Sequence, residues 1–406
     1  MRFSDLNKAK PEPAPAEPKK PARLAAPPPA VKKAEPPVAP KAEPEPVQPP
    51  ERQPTFEREE AVRQHVPAYK PSARQEARAA AHEPQKPFRE LDGQAREVYG
   101  RVVRQAGDLL NAINQPYTEK YEAVLQTCSL AAETLKSNSV LLNYASCASA
   151  EDYLKAHTAN TTIVALAMGL ALNLDHQELK LLGFCAMAHD VGMLEYADLY
   201  SRETRLSEEE FSSITAHAES GAGKLDRIVD LDYKLKDRAK RIIMQSHERI
   251  DGSGYPDRLS GEEIDPLAQL IGMADVYEAM THPRAWRGAI NQPDVIKELI
   301  EHEGRGFTAK AVKALISAVS IYPPGSLVML STGEIARVLR LNKGSLTRPL
   351  AETLLDPEFA AISPAMVDLL EHPLTSIERP IGLDEVRSRN PKFAVKLDLA
   401  RWWTDW

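Results

Sequence analysis

His189-Asp190 closes an apolar run, Ala186-Met187-Ala188-His189-Asp190-Val191-Gly192. Leu181, Leu182, Phe184, Cys185 and Met187 precede the pair in one helical stretch, so its two polar side chains end a buried segment. A buried carboxylate without a partner is costly, and either a hydrogen-bond network or a cation must satisfy it. Other residues bear on that choice. His157 begins a strongly apolar helix, and His217 ends the helix that Ser207 opens. His247 precedes a glycine-rich turn, and Asp275 sits inside Ile271-Gly272-Met273-Ala274-Asp275-Val276-Tyr277. Each alone reads as an ordinary buried polar residue. Together they give four imidazoles and two carboxylates on separate helices of one bundle. Hard or borderline divalent metals favour that donor set, and bundle cores are where such sites are built.

The elements that carry these residues are helical. Val98, Val102, Val103, Leu109, Leu110 and Ile113 fall near a 3.6-residue period. Asp175-His176-Gln177-Glu178 and Ser207-Glu208-Glu209-Glu210 both have the form of a capping box opening a helix. Helices also fit 118–135, 152–173, 208–226, 234–247, 262–281, 292–303 and 308–320. After Pro323-Pro324-Gly325 the pattern changes. Leu327 to Leu330, a Ser331-Thr332-Gly333-Glu334 turn and Ile335 to Leu341 read as a hairpin, with a further strand over Leu350 to Leu355. The fold class is therefore mainly α with a small C-terminal β appendage.

Residues 1–90 are a different polymer. They hold 20 of the 33 prolines, mixed with alanine, lysine and glutamate. Such a segment cannot bury enough apolar surface to offset its ordering entropy, and a disordered tail is expected. Its start, Arg2-Phe3-Ser4-Asp5-Leu6, has the make-up of a flexible terminus or of a docking peptide for a protein partner. Residues 91–150 read as an N-terminal helical segment, 151–322 as the metal-bearing domain and 323–406 as the β appendage with a tail. That tail ends in Trp402, Trp403 and Trp406, which are expected to pack back on the protein. A net charge of −7 argues against duplex nucleic acid as a partner. Cys128, Cys147 and Cys185 lack metal-like spacing and fit a reducing compartment. No apolar run reaches the roughly 18 residues of a membrane span, so a soluble, cytoplasmic chain is expected. Homodimerisation through exposed helical faces stays open.

With His157, His189-Asp190, His217, His247 and Asp275 in this order, the chain resembles the HD superfamily of metal-dependent phosphohydrolases. His247-Glu248-Arg249-Ile250-Asp251-Gly252-Ser253-Gly254-Tyr255-Pro256 narrows the resemblance to the HD-GYP family. The likeness runs on through Leu259 to Ile264 and Ala274 to Ala279, and covers roughly residues 150–320. It implies a helical core holding two iron or manganese ions, with cyclic di-GMP hydrolysed to linear pGpG or to GMP. In that reading Asp190 bridges both ions and is the central catalytic carboxylate. His157, His189 and Asp275 complete the first ion's shell, and His217 with His247 serves the second. Gly254, Tyr255 and Pro256 line the substrate groove, and Arg284 and Arg287 match positions that meet substrate phosphate.

Three positions depart from the family pattern. Met193 stands where a lysine is usual, Ser246 where a second histidine precedes the glycine-rich turn, and Tyr153 where trinuclear members carry a glutamate. Two ions rather than three are thus expected. The leading expectation is a cyclic di-GMP phosphodiesterase. Met193 and Ser246 keep open a weakly active or inactive signalling adaptor that binds metal or nucleotide and a protein partner. A phosphohydrolase acting on another cyclic dinucleotide is the third reading.

Overall fold

The structure is a computed structural model and describes residues 88–145, 153–284, 286–301, 303–342 and 344–399. The proline-rich segment up to residue 87, Cys147 and the three C-terminal tryptophans lie outside the described residues.

The first periodic stretch forms α1 (Phe88–Ala112), which starts inside the segment expected to be tail. Val98, Val102, Leu109 and Leu110 are buried along it. α2 (Tyr121–Ser137) and the short α3 (Leu141–Tyr144) follow. Next come α4 (Tyr153–Ala171) and α5 (His176–Ala188). α4 touches α1, α2 and α5, and also α10 (Pro266–Thr281) and α12 (Ala309–Val319). A helix enclosed on all sides must be apolar all round, and Ala156 to Gly169 of α4 and Leu270 to Thr281 of α10 are buried without a break. A His on one and an Asp on the other are thereby carried into the core.

Capping residues set the starts of these helices. Asp175 accepts from the Gln177 and Glu178 amides to open α5. Glu178 does not close the expected box; its carboxylate takes Arg238 in two bonds of 2.7 and 2.9 Å. At Ser207 the box is complete. The helix it opens, α7 (Glu208–Ile214), is separate from α8 (His217–Lys224). The expected 208–226 helix is therefore two, and His217 begins the second rather than ending the first. Between α5 and α7 lie a 3-10 segment, Val191–Tyr196, and α6 (Ala197–Tyr200). α9 (Tyr233–Gln245) is capped by Asp232, and α10 by Asp265 with Pro266 in its first turn. α10 thus starts later than the expected residue 262, and Gly261–Glu263 forms a 3-10 turn instead. α11 is Gln292–Glu301.

The β part is larger than expected. Five antiparallel strands, β1 (Leu327–Leu330), β2 (Ile335–Asn342), β3 (Ser345–Leu355), β4 (Ala361–Asp368) and β5 (Ile377–Ile381), lie in the order β4-β3-β2-β1-β5. α13 (Leu383–Arg389) and α14 (Pro391–Leu399) cover one face through Val386 and Ala394. Hydrogen bonds tie sheet to bundle: Asn143 Nδ2 donates to the Leu339 carbonyl at 2.5 Å and Ser320 Oγ to that of Leu346 at 2.6 Å. Among the described residues, no helix is long and apolar enough to cross a membrane.

Candidate metal centre

α4 supplies His157, the end of α5 supplies His189 and Asp190, and the first residue of α8 is His217. His247 lies just past α9, and α10 supplies Asp275. All six are buried, none above 7 % exposed. They fall into two groups, His157 with His189 and Asp275, and Asp190 with His217 and His247. Within each group the donor atoms lie within 4.8 Å of one another.

Asp190 faces imidazoles from both groups. Its Oδ2 is 3.4 Å from His157 Nε2. Its Oδ1 is 3.5 Å from His189 Nε2, 3.2 Å from His217 Nε2 and 3.4 Å from His247 Nε2. Asp275 stands 3.4 Å from His157 Nε2 and 3.6 Å from His247 Nδ1. Direct hydrogen bonds would mostly be shorter than this, whereas donors around a small divalent ion sit about 3 Å apart when at right angles. His189 Nε2, Asp190 Oδ1, His247 Nδ1 and Asp275 Oδ2 are buried and have no hydrogen-bond partner among the described residues. Buried polar atoms are rarely left so. Four such atoms, on ligands drawn from both donor groups, fit a centre that holds cations.

The outer nitrogens are anchored. His189 Nδ1 meets the Ala186 carbonyl at 2.8 Å, and His217 Nδ1 that of Ile214 at 2.6 Å. Each bond fixes the ring so that Nε2 turns to the centre. His157 uses a carboxylate for this, with Nδ1 2.5 Å from Glu278 Oε2. Asn160 donates to the other Glu278 oxygen at 3.3 Å, and its Oδ1 accepts from Tyr99 at 3.0 Å. Burial opposes the charge on Glu278, yet His157 and His282 bring its pKa down to about 2. Burial also works against the His157 imidazolium, but Glu278, Asp190 and Asp275 outweigh it and raise its pKa well above the ordinary value. Asp190, despite burial, is held well below the usual carboxylate range by His189 and the other three imidazoles. His247 goes the other way, pushed down to about 4 by burial with His217 adding to the fall.

Glu278 and Asn160 were not singled out from sequence. The signal was present, since they follow Asp275 and His157 by three residues and so share their helix faces. Glu278→Gln removes the charge that polarises His157. Manganese affinity, measured by calorimetry, should fall about 10- to 100-fold; an unchanged Kd would assign Glu278 a purely packing role.

Two close approaches bring the ligand segments together. A Cβ on Gly192 would lie 2.0 Å from the His217 carbonyl oxygen, so only glycine lets the Asp190 turn meet α8 there. A Cβ on Gly254 would lie 2.4 Å from the Cα of Glu248, so the turn after His247 folds flat on its own start. Glu248, also passed over in sequence, braces that turn by accepting from the Asp257 amide at 2.7 Å and the Leu259 amide at 3.0 Å.

Residues 142–309 match the family model described as HD domain. The chain carries an HD domain. Its HD dyad is His189-Asp190, inside the matched span. Relatives of the HD domain include a cyclic di-GMP phosphodiesterase of Pseudomonas aeruginosa, 28% identical over 54% of this chain and 52% of the relative. The cyclic di-GMP phosphodiesterase PdeB of Borreliella burgdorferi is 26% identical over 48% of this chain and 50% of its own length. A 3'3'-cGAMP-specific phosphodiesterase of Vibrio cholerae is 28% identical over 40% of this chain and 30% of its own. This chain thus spans about half the length, or less, of the curated relatives it matches.

Around the HD-domain centre, the Tyr255 ring lies on His247 at 5.0 Å and 9° and meets His217 edge-on at 6.0 Å. Pro256 follows it, half-buried. Arg284 sits over the Tyr153 ring at 4.4 Å and 3.7 Å from Glu278 Oε2. Tyr153 in turn stacks on His157 at 5.6 Å. Arg287 is placed differently. Its guanidinium donates to the carbonyls of Ala279 at 2.6 Å, Gly288 at 2.8 Å and Met280 at 3.3 Å, and so ties off α10. Ser246 turns its hydroxyl back to the Ile243 carbonyl at 2.8 Å, and Met193 packs half-buried against the apolar core.

Proposed function

We propose that this chain hydrolyses a phosphodiester bond of a cyclic dinucleotide, cyclic di-GMP first, to linear pGpG or GMP. The observation that carries this reading is the pair of buried donor groups that both face Asp190. His157, His189 and Asp275 would hold one divalent ion, His217 and His247 the other, and Asp190 both. Iron and manganese suit imidazole with carboxylate. Such a pair supplies an activated water and neutralises charge on the phosphoryl oxygens. The protein's own part is arrangement. Glu278 and the Ala186 and Ile214 carbonyls fix the imidazole orientations, Tyr255 walls the second donor group, and Arg284 offers a cation to phosphate beside the first. The relatives named above support the substrate class, and the cGAMP enzyme supports testing a second dinucleotide. Residues 151–322 would be the working domain, acting in the cytoplasm.

A second reading, a weakly active or inactive adaptor that keeps metal or nucleotide, is favoured by Met193 and by the hydroxyl of Ser246 turned away onto Ile243. Purified protein loaded anaerobically with iron or manganese should convert cyclic di-GMP to pGpG or GMP, followed by chromatography. Cyclic AMP-GMP run in parallel ranks the substrates. Two bound ions with no turnover of either would overturn the enzyme reading and leave the adaptor.

A further inference from the structure

The wall that begins at His157 continues outward through further rings and guanidinium groups. Tyr153 stacks on His157, and Arg284 lies over Tyr153. Arg284 then opens a tight turn closed by two main-chain bonds, Arg284 N to the Arg287 carbonyl at 2.7 Å and Arg287 N to the Arg284 carbonyl at 3.1 Å. Trp286 is held within this turn, half-buried. A second loop meets it there. It leaves α6 at Tyr200, whose ring is 5.7 Å from Tyr153, and brings the Arg205 guanidinium to 5.7 Å from the indole centroid. The Arg287 guanidinium is 5.6 Å from the same indole.

This rim is rich in cationic groups. Three guanidinium groups gather around one indole and one phenol. Arg284 approaches the Glu278 carboxylate, which already takes His157 and Asn160, and Glu298 acts on Arg287. Arg205 is exposed and pairs with no carboxylate among the described residues. A ligand suited to this surface has an anionic part beside Arg284 and a flat π-face for the indole. A nucleotide has both, and base stacking on an aromatic side chain needs no base-specific hydrogen bond.

We propose that Trp286, with Arg205 above it, is the base-stacking subsite of this centre, receiving one purine of a nucleotide whose phosphate lies toward Arg284. This rests on the phosphodiester reading for its reaction but not for its binding. Arg205 and Trp286 come from different loops, so the subsite is made by their meeting. Its selectivity is for a stacked purine over a bare phosphodiester.

Trp286 is one of four tryptophans. Replacing Trp402, Trp403 and Trp406 by phenylalanine leaves it the sole indole. Titration of that protein with cyclic di-GMP should quench its fluorescence saturably, and Arg205→Ala should weaken the apparent affinity several-fold. In turnover assays Trp286→Ala should raise KM about tenfold or more, within the range expected for loss of one stacked base, with kcat within about threefold. Trp286→Phe should restore most of the loss, and metal content should not change. A Trp286→Ala KM within twofold of the parent overturns the subsite while the hydrolase stands. A parent that binds with saturable quenching but does not hydrolyse overturns the hydrolase while the subsite stands. Absence of both overturns both.

Discussion

Asp190→Ala will lose metal-dependent hydrolysis by on the order of 10³-fold or more, beyond the roughly 10- to 100-fold that outer partners of a metal site cost. The reason is the position of its two oxygens, one toward His157 and the other toward His189, His217 and His247. Without them the second donor group is reduced to two imidazoles whose Nε2 atoms are 3.0 Å apart, with no anion to neutralise a cation between them. The first group keeps Asp275 but loses its link to the second. Metal content measured by mass spectrometry should fall from two ions per chain to one or fewer. Asp190→Asn keeps the volume and removes the charge, and should show nearly the same loss with a native melting profile. Two retained ions in both variants would sink the shared-ligand assignment.

Met193→Lys is expected to act in the opposite direction and raise turnover. Met193 lies one turn past the shared aspartate, its amide donating to the Asp190 carbonyl at 2.9 Å. Its side chain is half-buried, so a lysine there can keep its stem on the apolar core while the ammonium reaches solvent or substrate. A single well-placed donor to a reacting phosphoryl or leaving oxygen contributes about 2–4 kcal/mol, a gain in kcat of roughly 30- to 1000-fold. Steady-state kinetics on cyclic di-GMP decide the matter. A flat or lower kcat would mean that the missing amine is not what limits this chain, and would remove one of the two supports of the adaptor reading.

The donor residues were legible because the histidines and aspartates interrupt apolar helices, where an uncompensated polar group is expensive. Their second partners were harder to see. Glu278 and Asn160 look like ordinary polar residues of a helix until the opposing helix is known, since α4 and α10 meet across 121 residues of sequence at the His157–Glu278 pair. The break before His217 was hidden because Thr215-Ala216 carries no glycine or proline to mark it. The outer strands were missed for a different reason. β4 contains Pro364 and β5 contains Pro380, and most of β4 is exposed, so neither shows the alternation of a half-buried strand. Both are edge strands, where proline is tolerated because one side makes no ladder.

The contact between Gly192 and the His217 carbonyl is main chain against main chain. Assembly of the two donor groups there is written into backbone shape and not into the neighbouring side chains. Drift at Met193 or Ser246 can therefore erode chemistry without scattering the ligands. A chain built on such a contact could lose the proposed reaction and still keep the donor set that would hold its ions. By the same logic, a replacement such as Met193→Lys acts on a frame that it leaves intact.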